Sequence, residues 1–174
     1  MRSDTIIIDN RQNGFTAAVE ETKKVAVYNG LDAQKALELQ MLTEEMLSLA
    51  RSVTGEMKAS FWIDIEKMNA TLHMSTQTVL DKEQRAELIA SSTSRRNEAT
   101  KTFLGALRDW FDEARAAETQ HFTPDHDLLN DLPIGSVIEK EWDGYERSIL
   151  RKLADEVKIS IVKDQVEMTV FKRF

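Results

Sequence analysis

The sequence contains no cysteine among its 174 residues. This absence excludes a disulfide scaffold, a thiol nucleophile and a cysteine-built zinc site, and it suits a reducing cytoplasm. Long apolar runs are absent too, since the first, Ile6 to Ile8, is bracketed by Asp4 and Asp9. We therefore expect neither a secretory leader nor a membrane span.

Basic charge is also scarce. The chain has 23 Lys and Arg against 30 Asp and Glu, a formal net charge of -7, and its basic residues occur in runs no longer than two. Such a chain repels a phosphate backbone unless its cations share one face. Nucleic-acid binding is therefore disfavoured, and we expect protein or small-molecule partners.

Two helices are predicted in the first third of the chain. From about Phe15 to Tyr28 the apolar residues keep helical spacing, and Asn29-Gly30 supplies a left-handed stop. Asp32 is a suitable N-cap for the second helix, which is predicted to continue to Thr54.

The second helix carries two glutamates in "EEMLSL" that differ in their relation to its apolar stripe. At about 100° per residue, Glu45 falls only some 40° outside the stripe, whereas Glu44 points roughly opposite to it. A partly buried carboxylate either pairs with a cation at the rim or has a functional role.

Two hairpins are predicted from period-two alternation. Apolar residues alternate over 57–65, "EKMN" makes a turn and "ATLHMST" returns. Near the end of the chain, 157–161 and 166–170 alternate around "KD". His73 falls on the outer face of its strand, where a lone histidine is ordinary.

Between the hairpins, the pattern from Asp81 is helical in two pieces divided by "SSTSRRN". The second piece has Trp110 and Phe111 in an apolar stripe, which predicts either core packing or an amphipathic face for a partner. A loop with both prolines follows. No regular element fixes the spacing of the metal-binding residue types in this loop, so we predict no metal site from His121, Asp125, His126 and Asp127.

The order of elements is strand, two helices, hairpin, a helical segment, a helix that includes Trp142 and Tyr145, and a second hairpin. This order predicts one α+β domain over 1–174: a two-layer α/β sandwich whose mostly antiparallel sheet of about five strands is covered by helices on one face. A hydrolase is not supported, because no nucleophile motif or evident base accompanies Ser48, Ser91 or Ser94.

This order and two local sequences resemble the histidine-kinase-like ATPase fold, in particular the bacterial anti-sigma-factor serine kinases. "EEMLSL" is similar to the family's E-E-A-L-T-N helix, and "DGYERSILRKLADEVKISIVKDQVEMTVFKRF" is similar to its last helix and two strands. The segment 80–140 stands at the position of the family's mobile ATP lid. The resemblance implies a cytoplasmic regulatory protein, a homodimer, and a sigma factor or an anti-sigma antagonist as partner.

The resemblance also implies roles for three residues. Glu45 matches the glutamate that faces the nucleotide and positions water or the attacking group. Leu49 stands where the family has an asparagine that holds Mg²⁺, and it has no lone pair to offer a hard cation. Asp81 is the only acid near the place of the aspartate that reads adenine.

The glycine motifs that approach the base and the phosphates are missing. No glycine lies between positions 55 and 105, and only Gly135 and Gly144 lie near the start of the last helix, where the family's third glycine-rich motif stands. Phosphoryl transfer depends on the metal and the phosphate cradle, so we predict little or no ATP-dependent activity and no resident ATP or Mg²⁺. Two alternatives stay open: an active ATP-dependent serine/threonine kinase that uses Glu45, and a binding module for another small molecule.

Overall fold

A computed structural model describes residues 1–9, 13–54, 58–100 and 146–174. In chain order its elements are β1 (Ile6–Ile8), α1 (Asn13–Tyr28), α2 (Ala33–Thr54), β2 (Ala59–Glu66), β3 (Asn69–Gln77), α3 (Lys82–Ser91), a 3-10 helix (Glu98–Thr100), α4 (Glu146–Leu153), β4 (Glu156–Val162) and β5 (Gln165–Arg173). The predictions for Trp110, Phe111, the proline-containing loop, Trp142 and Tyr145 lie outside the described residues.

The five strands form one sheet in the order β1-β2-β3-β5-β4, and every neighbouring pair is antiparallel. The two strands of each hairpin pair with each other, β2 with β3 and β4 with β5. The two hairpins are joined by pairing between β3 and β5, where Leu72 lies opposite Val170. Helices α1 to α4 pack on one side of this sheet. The predicted α+β sandwich with about five antiparallel strands is therefore confirmed.

Period-two alternation determines which face of each strand is buried. In β2, Phe61, Ile63 and Ile65 are buried under the helices, while Trp62 and Asp64 are half-buried on the opposite face. Burying one large apolar side chain contributes about 1.5–3 kcal/mol, so these faces drive the packing of the two layers. The strands β3, β4 and β5 alternate in the same way.

The turn between β2 and β3 consists of two residues in the left-handed region. Lys67 has a φ of 46° and Met68 a φ of 68°. A two-residue hairpin loop with positive φ at both positions matches the twist of the flanking strands, although Asn and Gly adopt it more readily. Because the loop has two residues, Trp62 lies directly opposite His73.

The helical hairpin of α1 and α2 begins and ends as the sequence predicts. Gly30 has a φ of 78°, and the Leu31 N–H donates to the Ala26 carbonyl at 3.1 Å, as in a Schellman motif. The Asp32 carboxylate then accepts from the Lys35 N–H at 2.9 Å and caps α2. These contacts lower the pKa of Asp32, the main-chain hydrogen bond having the largest effect.

A buried polar contact joins α1 to α2. The Thr22 and Thr43 hydroxyl oxygens lie 3.0 Å apart, and each hydroxyl also bonds the carbonyl four residues earlier in its own helix. Both side chains are fully buried, so the two helices pack in a register that satisfies both hydroxyls. In the described part of the chain, no helix combines the length and the apolarity needed to cross a membrane.

Candidate functional site

The interior between α2 and α3 is the first candidate site. It lies above β3, β4 and β5, and none of the three residues to which the resemblance assigns a nucleotide role, Glu45, Leu49 and Asp81, is among the residues that line it. Eight residues line it: Ala50, Thr54, Met74, Thr76, Leu88, Ile159, Val166 and Met168. The gaps among these side chains are too small to hold a water molecule. The described interior is therefore too tightly packed for a nucleobase.

The lining also offers no polar group to a ligand. The Thr54 hydroxyl donates to the Ala50 carbonyl at 2.8 Å, and the Thr76 hydroxyl donates to the Lys58 carbonyl at 2.9 Å. Because both hydroxyl protons bond to the protein's own backbone, the surface of the space is apolar. Such a lining cannot neutralise the charge of a phosphate.

Helix α2 carries two of the residues to which the resemblance assigns a role, Glu45 and Leu49, and both are half-buried. Glu45 is half-buried and Glu44 is exposed, which confirms the difference expected from their angles to the apolar stripe. Leu49 is half-buried and packs against the hydrophobic core. Its neighbour Ala50 lines the interior. The described face of α2 beside the interior is thus aliphatic at the position where the resemblance implies a magnesium ligand.

Asp81 is the N-cap of α3. Its carboxylate accepts from the Gln84 N–H at 2.8 Å, and the Gln84 side chain accepts from the Asp81 N–H at 3.0 Å. This reciprocal pair is a capping box, and the sequence "DKEQ" carries its Asp-x-x-Gln signature. The Asp-x-x-Gln spacing alone predicts this capping role, which the family resemblance does not imply for Asp81.

Helix α3 is held over the interior by contacts at both ends. Near its start, the Gln84 side-chain amide donates to the Val53 carbonyl at 2.7 Å. Near its end, the Arg151 guanidinium donates to the Ala90 carbonyl at 2.8 Å. Leu88, which is 1% exposed, fills the space between these two contacts. The capping box therefore fixes the part of α3 that is tied to α2.

A second candidate site lies on the sheet face opposite the helices. The Arg2 guanidinium carbon lies 4.9 Å from the centre of the Trp62 ring. On the other side of this ring, His73 stacks at 4.9 Å between centroids and 7° between planes. The His73 Nε2 lies 3.3 Å from an Asp64 oxygen. Because the hairpin turn has two residues, the register could have predicted the Trp62–His73 contact.

The electrostatics of this row favour a neutral imidazole. Burial lowers the pKa of His73, and the charge of Arg2 acts in the same direction. The carboxylates of Asp64 and Glu167 oppose this shift by raising the pKa. The His73 Nε2 stays beside the Asp64 carboxylate while the face of the imidazole is stacked on Trp62. The row can thus bind through a flat, partly exposed surface.

Ser91 and Ser94, for which the sequence indicates no hydrolase role, lie apart from His73, the one histidine among the described residues. Ser91 is buried and bonds the Glu87 carbonyl at 3.1 Å, and Ser94 is exposed. His73 lies on the opposite side of the sheet. Among the residues described here, no group of three acidic or histidine side chains could hold a metal ion. His121, Asp125, His126 and Asp127 lie outside the described residues.

The described geometry thus consists of a closed apolar interior under α3 and a polar-aromatic row on the uncovered sheet face. No family model matches this chain, and no functionally characterised protein matches it by sequence.

Proposed function

We propose that this chain is a regulatory, protein-binding domain that resembles an anti-sigma factor and has little or no ATP-dependent activity. The closed apolar interior between α2 and α3 carries the proposal. A bound triphosphate needs hydrogen-bond donors and a divalent cation beside its oxygens. The described lining offers no such donor, and Leu49 offers no oxygen to a cation.

The sheet face that none of the described helices covers supports the protein-binding part of the proposal. It carries the half-buried Trp62 and Phe171, and Ile7, opposite Ser60 in the same sheet, is 57% exposed. Aromatic side chains with partly exposed rings are enriched in protein interfaces and often dominate their binding energy. The family resemblance makes a sigma factor or an anti-sigma antagonist the proposed partner, and it makes a homodimer the proposed assembly.

Nucleotide binding is the first test. Isothermal calorimetry with ATP, in the presence and absence of Mg²⁺, should show no magnesium-dependent heat of binding. Micromolar affinity for Mg-ATP would overturn the proposal in favour of the serine/threonine kinase alternative. Under that alternative, Glu45→Ala would abolish turnover while the melting temperature stayed close to that of the unaltered chain. Stabilisation by another small molecule, with no response to ATP, would favour the other alternative, a binding module for that kind of molecule.

Partner binding is the second test. Purified sigma factors and their antagonists can be titrated against the chain and followed by intrinsic tryptophan fluorescence or calorimetry. We expect Trp62→Ala to lower the affinity for a partner that binds by about tenfold or more. Tyr28→Ala is the matched control, because Tyr28 is 78% exposed at the end of α1 and away from the sheet face. Equal effects of both substitutions would refute the assignment of the interface to this face.

A further inference from the structure

The sheet has two edges, and they differ in length. The edge strand β1 has three residues, whereas the edge strand β4 has seven. A long edge strand presents a row of main-chain N–H and C=O groups that can pair with a strand of another molecule. Its sequence, "EVKISIV", is rich in β-branched residues and contains no proline, which favours such pairing.

Two residues of the segment after α3, Thr93 and Asn97, bond the outer edge of β4 through three side-chain hydrogen bonds and one main-chain hydrogen bond. The Thr93 N–H donates to the Val157 carbonyl at 2.9 Å, and the Thr93 hydroxyl accepts from the Val157 N–H at 2.8 Å. The Asn97 side-chain amide donates to the Ile161 carbonyl at 2.8 Å and accepts from the Ile161 N–H at 2.9 Å. Asn97 is 5% exposed.

These contacts reproduce the bonds of a neighbouring strand. A primary amide offers one donor and one acceptor side by side, as the backbone of a paired residue does. Val157, Ile159 and Ile161 alternate with the residues that bond β5, so their main-chain groups point toward the outer edge. Thr93 and Asn97 therefore bond the first and third of three outward-facing residues.

Without the bonds from Thr93 and Asn97, β4 would be complementary to β4 of a second copy of the chain. In an antiparallel pair centred on Ile159, Val157 lies opposite Ile161 of the second copy, and Lys158 lies opposite Ser160. No like charges face each other, and the apolar faces of both strands stay on the same side. Such a twofold pair would form about six main-chain hydrogen bonds and extend the sheet through both copies.

We propose that Thr93 and Asn97 act as an edge cover, which keeps β4 from pairing with β4 of a second copy. The edge cover occupies the outward main-chain groups of Val157 and Ile161 with three side-chain bonds and the Thr93 N–H, and substitution of Thr93 and Asn97 removes the three side-chain bonds. This inference is independent of the proposed partner and of nucleotide binding, because it concerns the β4 edge of the sheet, whereas the aromatic row lies on the sheet face across β2 and β3.

The test is the association state of the full chain after the edge cover is removed. Sedimentation velocity over about a hundredfold range of concentration should show that Thr93→Val/Asn97→Ala doubles the association state of the unaltered chain. Thr93→Ser keeps a hydroxyl at the same position and is the matched control, which should leave the association state unchanged. A folded double variant that keeps the association state of the unaltered chain overturns the proposal.

A charge substitution tests whether β4 is the pairing strand. Ser160→Lys in the uncovered variant would place a lysine opposite Lys158 of the second copy, and it should return the association state to that of the unaltered chain. Within the chain, Ser160 lies opposite Glu167, so the new lysine is compatible with the fold. Association that persists with Ser160→Lys overturns the assignment to β4.

The proposal stays testable if the double variant does not fold. Thr93→Val alone removes one of the two covering side chains and leaves Asn97 in place. Circular dichroism establishes that this variant is folded, and its association should rise in the same direction but at higher concentration. An unchanged association state of folded Thr93→Val would then refute the role of the edge cover.

Discussion

The capping box of α3 gives the sharpest prediction about a site residue. Asp81→Ala removes the carboxylate that accepts from the Gln84 N–H at 2.8 Å. Loss of an N-cap lowers the free energy of unfolding by about 0.5–2 kcal/mol. Gln84 also donates to the Val53 carbonyl, so fraying of the first turn would weaken the tie between α3 and α2. We therefore expect a loss in the upper half of this range, about 1–2 kcal/mol.

Urea unfolding followed by circular dichroism measures this loss as a lower midpoint with an unchanged m value. For a domain of this size the melting temperature should fall by about 2–8 °C. Asp81→Ser is the matched control, because serine caps a helix about as well as aspartate, and its free energy of unfolding should stay within about a few tenths of a kcal/mol of that of the unaltered chain.

Two results would refute this reasoning. If Asp81→Ala and Asp81→Ser were equally stable, the cap would not be what holds α3 in place. If Asp81→Ser kept full stability but abolished a measurable affinity for ATP, the carboxylate would bind a ligand in addition to capping the helix, and capping alone would not explain the residue. The second result would also support the adenine-reading role that the family resemblance implies.

Three further predictions concern the sheet face, the helix pair and the close contact at β1. The pKa of His73 is lower in the folded chain than its ordinary value of 6.5, so its contribution to stability should be complete above this value and should be lost as pH drops through the folded pKa. Below about pH 6.5 the urea midpoint of the unaltered chain should therefore depend on pH with a different slope from that of His73→Phe, which keeps a ring beside Trp62. Equal slopes would contradict the lowered pKa. Thr22→Val or Thr43→Val alone should lower the free energy of unfolding by about 0.5–1.5 kcal/mol, because the remaining threonine still bonds the carbonyl four residues earlier in its own helix. In a double-mutant cycle the double substitution should lose less than the sum of the two single ones. Strict additivity would show that the contact between the hydroxyls has no energetic importance. A Cβ at Gly14 would lie 2.6 Å from the Ile7 main-chain oxygen in β1. Gly14→Ala should therefore lower the free energy of unfolding by about 1–3 kcal/mol, which a thermal melt would record as a lower midpoint. An unchanged midpoint would mean that α1 moves away from β1 without strain.

Local pattern was enough to predict most of the described elements. The end of α1 at Asn29-Gly30, the cap at Asp32 and both hairpins follow from short-range chemistry, since each depends on residues a few positions apart. The half-buried position of Glu45 also follows, because helix geometry alone sets its angle to the apolar stripe. Asp81 was harder to interpret, since its capping role competes with the ligand-binding role implied by resemblance.

The site itself depends on contacts between distant parts of the chain. The edge cover joins Asn97 to Ile161, which are 64 positions apart, and no periodicity links them. The aromatic row brings Arg2 beside Trp62 because the first residues of the chain run along β2, where the Ser3 N–H donates to the Ile63 carbonyl at 2.9 Å. These contacts depend on how whole elements pack, not on local propensity.

The sequence by itself determined the elements, their buried faces and the acidic, cysteine-free character of the chain, because dihedral preference and side-chain periodicity act over a few residues. Only the tertiary structure decided that β5 lies beside β3, that α3 closes the interior over Leu88, and that two side chains cover the edge of β4. The physical reason is that long-range pairing depends on the free energies of competing packings, to which every element contributes at once.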